Sequence, residues 1–194
     1  MHPTKRLLIE TAVELIDEFG PQGFTVETLL DRSSISKGSL YHHFHDFSDL
    51  IEQAQLKRFS RFVDDDIEIL TAVLMNATSR EDLLGRLEQV VELSHDPARV
   101  KSRADRALIV GSSFGSDKFR KSLGVEQQRL TDAIADITRE AQEKNWIRRE
   151  HSPRTIAMFI QAYSLGKILD DVAELPVEPP AWNGIVGDVL HAVL

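Results

Sequence analysis

Three helix-start signals crowd into 22 residues of this chain, and that crowding limits its N-terminal fold more than any other feature. Thr25, Ser36 and Asp46 each stand before a helical apolar pattern. Each has a side-chain oxygen that can accept from a free backbone N–H of a first helical turn. Phe24 with Leu29, and Ile35 with Leu40, are spaced as hydrophobic staples around the first two caps. Asp49 stands near the capping-box position of the third. Starts this close leave room only for short helices at steep angles. Ahead of them Leu8, Ala12, Leu15, Ile16 and Phe19 recur at helical spacing and give a first helix one apolar face. "GPQG" at 20–23 ends it, since glycine accepts the left-handed conformation after a helix and proline cannot continue one.

The rest of the chain keeps the helical period. From Asp46 the pattern runs past Lys57 and Arg61 towards Met75, and further helices are expected over 80–95, 97–112, 117–145, 153–173 and 181–194. No stretch alternates with the period of a strand. The fold class is therefore all-α, a small N-terminal module followed by a larger helical domain. The 194 residues, 42% hydrophobic and 28% charged, suffice for a sizeable core. No apolar run approaches the roughly 18 residues that would span a bilayer, and the N-terminus has no signal-peptide apolar core. Cysteine is absent, which excludes disulfides and thiolate metal sites. A cytoplasmic protein without membrane contact is the expectation.

Two late helices bear on assembly. Leu123, Leu130, Ile134, Ile137 and Ala141 follow heptad-like spacing. The segment Arg154 to Val172 is apolar nearly all round, with Ile156, Phe159, Ile160, Tyr163, Ile168 and Leu169, and a helix apolar on every side must be buried on every side. Either a partner subunit or the chain's own core covers it. Leu130, Ile134, Ile137, Ile160 and Gly166, the glycine allowing close helix approach, are the expected dimer contacts.

The net charge of −8 argues against nucleic-acid binding by the chain as a whole, but its distribution is uneven. From Arg32 to His45 there is no acidic residue, while Arg32, Lys37 and three of the seven histidines lie there. This is compatible with a nucleic-acid contact, and equally with a short solvated stretch. The segment "SISKGSLYHHFHDF", 34–47, holds the histidines. His42, His45 and Asp46 make a metal site imaginable, but no further carboxylate or histidine supplies the remaining ligands, and none is expected. No nucleophile motif, Gly-rich phosphate loop or carboxylate pair points to an enzyme or a cofactor.

The block "FTVETLLDRSSISKGSLYHHF", 24–44, resembles the DNA-binding domain of the tetracycline-repressor family of transcriptional regulators. More loosely, "NWIRREHSPRTIAMFIQAYSLGKI" is similar to that family's dimerisation region. The resemblance implies a three-helix helix-turn-helix domain over 1–50, with the motif at 25–44, and a helical effector-binding and dimerisation domain over 51–194. It implies a homodimeric, ligand-responsive repressor of a pseudo-palindromic operator in double-stranded DNA. In such a motif the second helix enters the major groove with its N-terminal residues at the base edges. A helix beginning Ser36-Lys37-Gly38-Ser39 suits this. Its free N–H groups favour phosphate, Lys37 adds a charge, and Gly38 and Ser39 permit close approach. Tyr41 offers a hydroxyl to a phosphate. The resemblance assigns DNA contacts to these positions and to Thr25 and His42.

Three positions depart from the family pattern. Leu30 replaces an alanine where the motif helices touch. Ser34 replaces a turn glycine, whose place often needs φ > 0. Phe47 stands where a lysine often opens the fourth helix; exposed, Phe47→Lys would add a phosphate contact, whereas a Phe47 packed under the recognition helix, against Phe44, would make that change destabilising. The departures leave open a helical ligand-binding or interaction protein that no longer binds DNA. The effector is an unknown small molecule. Phe114, Phe119, Trp146, Met158, Phe159 and Tyr163 are the candidates for an apolar pocket, with core packing as the competing role.

Overall fold

The caps anticipated from the sequence are made. In a computed structural model that describes residues 1–194, the side chain of Val193 excepted, the Thr25 hydroxyl accepts from Thr28 N and opens α2 (Val26–Ser33). Ser36 accepts from Ser39 N and opens α3 (Lys37–His43). Asp46 Oδ1 accepts from Asp49 N at the start of α4 (Phe47–Asn76) while Asp49 Oδ2 accepts from His45 N. Before them α1 (Pro3–Phe19) ends at Gly20 with φ 81°, where the missing side chain removes the steric cost of positive φ.

Ser34 answers the question raised by the missing turn glycine. It ends α2 in the left-handed region, φ 56° and ψ 28°, so the turn keeps its geometry with a serine in a place that favours glycine. Ser34→Gly should therefore raise stability by about 0.5–1 kcal/mol, read from urea unfolding. A decrease would show that the serine side chain contributes more than its backbone costs.

The chain continues through α5 (Arg80–His95), a 3₁₀ turn at Pro97–Arg99, α6 (Val100–Ser112), a second 3₁₀ turn at Ser113–Gly115 and α7 (Asp117–Glu143). Then follow α8 (Pro153–Gly166), the short α9 (Ile168–Asp171) and α10 (Pro179–Val193). No strand occurs among the described residues. The helix expected over 153–173 is divided at Lys167. Glycine at 166 weakens the helix there, and the Lys167 ammonium, 7% exposed, turns to Asp170 at 2.7 Å and Asp171 at 3.2 Å.

Two compact units result. The first comprises 1–62 with 112–123, so it takes in α4 beyond residue 50 and the start of α7. Its core holds Leu8, Leu15, Leu29, Leu40, Phe44 and Leu50, with Phe47 packed against it. Ion pairs fasten α4 to α1, Lys57–Glu10 at 2.9 Å and Arg58–Asp17 at 2.8 Å. Lys118, at the start of α7, reaches Asp49 at 2.7 Å. Burial works against the charged form of Asp49, but hydrogen bonds from Lys118, Gln53 and the His45 N–H outweigh it and bring the carboxyl down to about 2.

The second unit comprises 63–111 and 124–194. Its core joins Leu74, Leu83, Leu84, Val91, Ala141, Ile156 and Leu190, and α5 packs on α10. The heptad-like face of α7 turns into this unit: Leu130 and Ile134 are buried, and Ile137 packs against the core. Their spacing is used up by the chain's own packing. Of the two covers open to the 154–172 segment, the chain's own core does not reach all of it. Ile156 and Ala157 are buried, whereas Met158, Leu169 and Val172 are 55%, 76% and 77% exposed.

Candidate nucleic-acid interface

The site is built on α3, a helix of only seven residues held from both ends. Beneath it Leu40 and Phe44 are buried in the first core, as their inward spacing predicts, and Phe44 N donates to Leu40 O at 3.0 Å. Fixing these two residues turns the opposite face outward. Ser36, Lys37 and Gly38 are exposed, Ser39 is half-buried and Tyr41 is 44% exposed. A side chain on Gly38 would meet nothing within 4 Å. Because α3 is capped by Ser36 through Ser39 N alone, other N–H groups of the first turn stay free to meet an anion. Thr25 and His42, the other expected contacts, are exposed on the same unit.

The histidines form a ring ladder. His42 lies 5.0 Å from His43, and His43 lies 4.9 Å from His2 between ring centroids. Lys5 stands 5.2 Å over the Phe44 ring. Burial first, then the positive charges of His2, His42 and Lys5, holds the half-buried His43 imidazole below its ordinary range. His45 turns elsewhere, its Nδ1 2.9 Å from Asp46 Oδ2. Nothing in the periodicity around residue 43 announces His2 and Lys5, which α1 brings beside it. Arg32 also adds less positive charge than its place suggests, because Glu18 pairs with it at 2.5 Å.

Phe47 is half-buried and meets Phe24, not Phe44, edge to face at 5.7 Å and 81°. Leu30 packs at the margin of the same core. Phe47→Lys should accordingly lower stability by about 2 kcal/mol, the loss of a partly buried aromatic and its edge contact. The salt dependence of DNA binding should not steepen. A stable variant with a steeper salt slope would show that position 47 faces phosphate.

The expected effector residues are divided between the two units, and of the six only Phe159 and Tyr163 are in ring contact among the described residues, at 5.6 Å. Phe114, 72% exposed, and the buried Phe119 belong to the first unit, while Trp146, Met158, Phe159 and Tyr163 belong to the second. The second unit has a small apolar cavity of about 30 Å³ lined by Leu74, Leu83, Leu87, Ile137 and Ile160, and a larger groove of about 510 Å³ between α5 and α10. None of the six lines either one. Of the expected residues, Phe119, Trp146 and Tyr163 were spent on packing, and Phe114 and Met158 were left outside. The second unit instead gathers polar groups that sequence reasoning missed: His95, Arg103, Lys167, Asp171 and Asn183.

Comparison with known proteins agrees with the geometry. Residues 8–54 match the family model described as bacterial regulatory proteins, tetR family. The HTH-type transcriptional regulator BetI of Escherichia coli O127:H6 is 26% identical over 139 residues, 70% of this chain and 69% of that protein. Among solved structures, a TetR-family regulator from Mesorhizobium loti MAFF303099 has a TM-score of 0.69 at 15% identity, covering 97% of this chain and 94% of the other. The reduced form of E. coli NemR has a TM-score of 0.68 at 16% identity, covering 99% and 98%. Likeness at that identity is likeness of fold. No described helix is long and apolar enough to cross a membrane.

Proposed function

We propose, for a chain that belongs to the tetR family of bacterial transcriptional regulators, that it is a homodimeric repressor which reads a pseudo-palindromic operator and releases it on binding a small molecule. The family is not one of enzymes, so the chemistry sought is recognition alone. The exposed first turn of α3 carries the reading: Ser36, Lys37 and Gly38 project from a helix whose other face is locked into a core. Lys37 and the free N–H groups suit phosphate, and the small residues let the backbone approach a groove. Two such helices would take half-sites about one helical turn, roughly 34–36 Å, apart.

What favours a dimer is exposed apolar surface. Met158, Leu169, Val172, Leu175 and Ile185 are all more than half exposed on α8, α9, α10 and their connections. Large apolar side chains left exposed in such number suit an interface. Sedimentation of the unmodified chain at micromolar concentration should give a dimer, and a monomer would remove this part of the reading.

The deciding experiment selects bound genomic fragments and then titrates salt. Lys37→Ala should weaken binding to the selected sequence and lower the slope of log K against log salt by about 0.9 per subunit, the value for one phosphate. Stability should change by no more than about 0.5 kcal/mol, since Lys37 is exposed. Absence of any salt-dependent binding to DNA would favour a helical ligand-binding protein instead. If an effector releases DNA, DNA must weaken the effector by the same factor.

A further inference from the structure

The imidazoles where α1 meets the end of α3 carry no counter-charge. His43 lies between His2 at the start of α1, 4.9 Å away, and His42 on α3, 5.0 Å away. The ion-paired histidines among the described residues are His45 and His191, so no carboxylate holds these three. Arg32, Lys57, Arg58 and Lys118 of the same unit are each held by one. Burial, and then the charges of His2, His42 and Lys5, work against the imidazolium form of His43, and every one of those charges is positive. Basic groups set this close without an acid make an incomplete ion site, because one anion among them removes the repulsion.

A second observation, independent of charge, places the cluster. Leu40 and Phe44 point into the core, and His42 stands opposite them, one helical turn after Gly38 on the outward face of α3. His43, at the edge of that face, is half-buried against α1. His2 accepts from Thr4 N through Nδ1 at 3.3 Å as the cap of α1, so its neutral ring has its proton on Nε2 and can donate. The imidazoles thus extend the exposed face of α3 onto α1. Phe47, packed on Phe24, offers no charge on the neighbouring α4.

We propose that His2, His42 and His43, with Lys5, form a second phosphate site for the DNA backbone where α1 meets the end of α3, and that DNA binding takes up protons there. The inference rests on the reading of this chain as a DNA-binding regulator and adds to it a dependence on pH.

The direction follows from the free protein. An imidazole held neutral before binding gains a proton when a phosphate comes close, since an opposite charge at about 4–6 Å favours the charged ring by tenfold or more. Its proton affinity is then higher in the complex than in the free chain. Binding therefore strengthens as pH falls from the bound value to the free one and levels off on either side. The free value of His43 lies below the usual histidine range.

The test uses the full chain and the duplex selected for binding, at constant ionic strength. Affinity should rise about tenfold per half-site between about pH 8 and about pH 6. Asparagine also caps helices, so His2→Asn removes one imidazole while keeping an acceptor for Thr4 N. It should shrink that gain about threefold, and His43→Gln should remove most of it. His45→Asn is the control and should keep the full gain, because its ring is turned to Asp46. Affinity independent of pH in the unmodified chain, or a gain lost in His45→Asn, would overturn the proposal. Losses in His2→Asn and His43→Gln that are equal at both pH values would mark a structural role and do the same. A DNA-free arm separates this site from the reading of the chain as a DNA-binding protein. Inorganic phosphate should move the ring-proton NMR titration of His43 to higher pH, and less so in His2→Asn. No movement would overturn the site; movement in a chain that binds no DNA at any pH keeps a phosphate site and removes the DNA backbone as its source.

Discussion

Asp171→Ala should lower the stability of the protein by about 3–5 kcal/mol, the cost of stranding a buried charge by removing its partner. Arg103 holds Asp171 through two parallel bonds, Nε to Oδ2 at 2.5 Å and Nη2 to Oδ1 at 2.8 Å. The two side chains are 10% and 4% exposed. Lys167 approaches the same carboxylate at 3.2 Å and is itself buried. Removing the anion leaves two buried cations, of which Lys167 keeps Asp170 and Arg103 keeps only the carbonyls of Ser94 and Asp96. The effect has a pH signature. The Arg103 hydrogen bond, more than any other influence, holds the Asp171 carboxyl below its ordinary range. A carboxyl depressed in the folded state contributes in full above its unfolded pKa of about 3.9, and the contribution is lost as pH falls through the folded value. Urea unfolding should thus separate wild type from Asp171→Ala at neutral pH and bring them together in acid. A difference that stays constant down to pH values below that range would show that packing, not charge, is responsible.

Phe44→Ala should cost a similar 3–5 kcal/mol and abolish operator binding, although Phe44 touches no DNA in the reading given above. The ring is 2% exposed in the first core, lies under Lys5, and its backbone N–H closes the end of α3. Without it the seven-residue α3 loses half of its anchorage, since Leu40 is the only other residue of the 36–44 segment that is buried. Hydrogen exchange should lose protection over α2 and α3 before α5 and α10, because the second core contains none of the same residues. Full protection of α3 in this variant, with DNA binding retained, would mean that the recognition helix does not depend on that core.

These two positions differ in how far they could be read from the chain alone. Phe44 and Leu40 follow from spacing, and Thr25, Ser36 and Asp46 from side-chain chemistry, because caps, staples and short amphipathic faces are settled by atoms a few residues apart. The left-handed Ser34 belongs with them: a position that needs positive φ is a local property, whichever residue fills it. So the short helix α3, its exposed face and the all-helical class were legible. Arg103 and Asp171 were not. They lie 68 positions apart, as the 2.5 Å bond between them joins α6 to α9. His95 and Trp182, 87 apart, meet for the same reason. Phe47 found Phe24 where the nearer Phe44 was expected, and Leu130 and Ile134 turned into their own unit where a partner was expected. Periodicity states that a residue faces something apolar, but the identity of that surface depends on which helices pack together. Local hydrogen bonding determined the short exposed helix α3; long-range packing alone decided which polar groups are buried together and which apolar faces are left exposed.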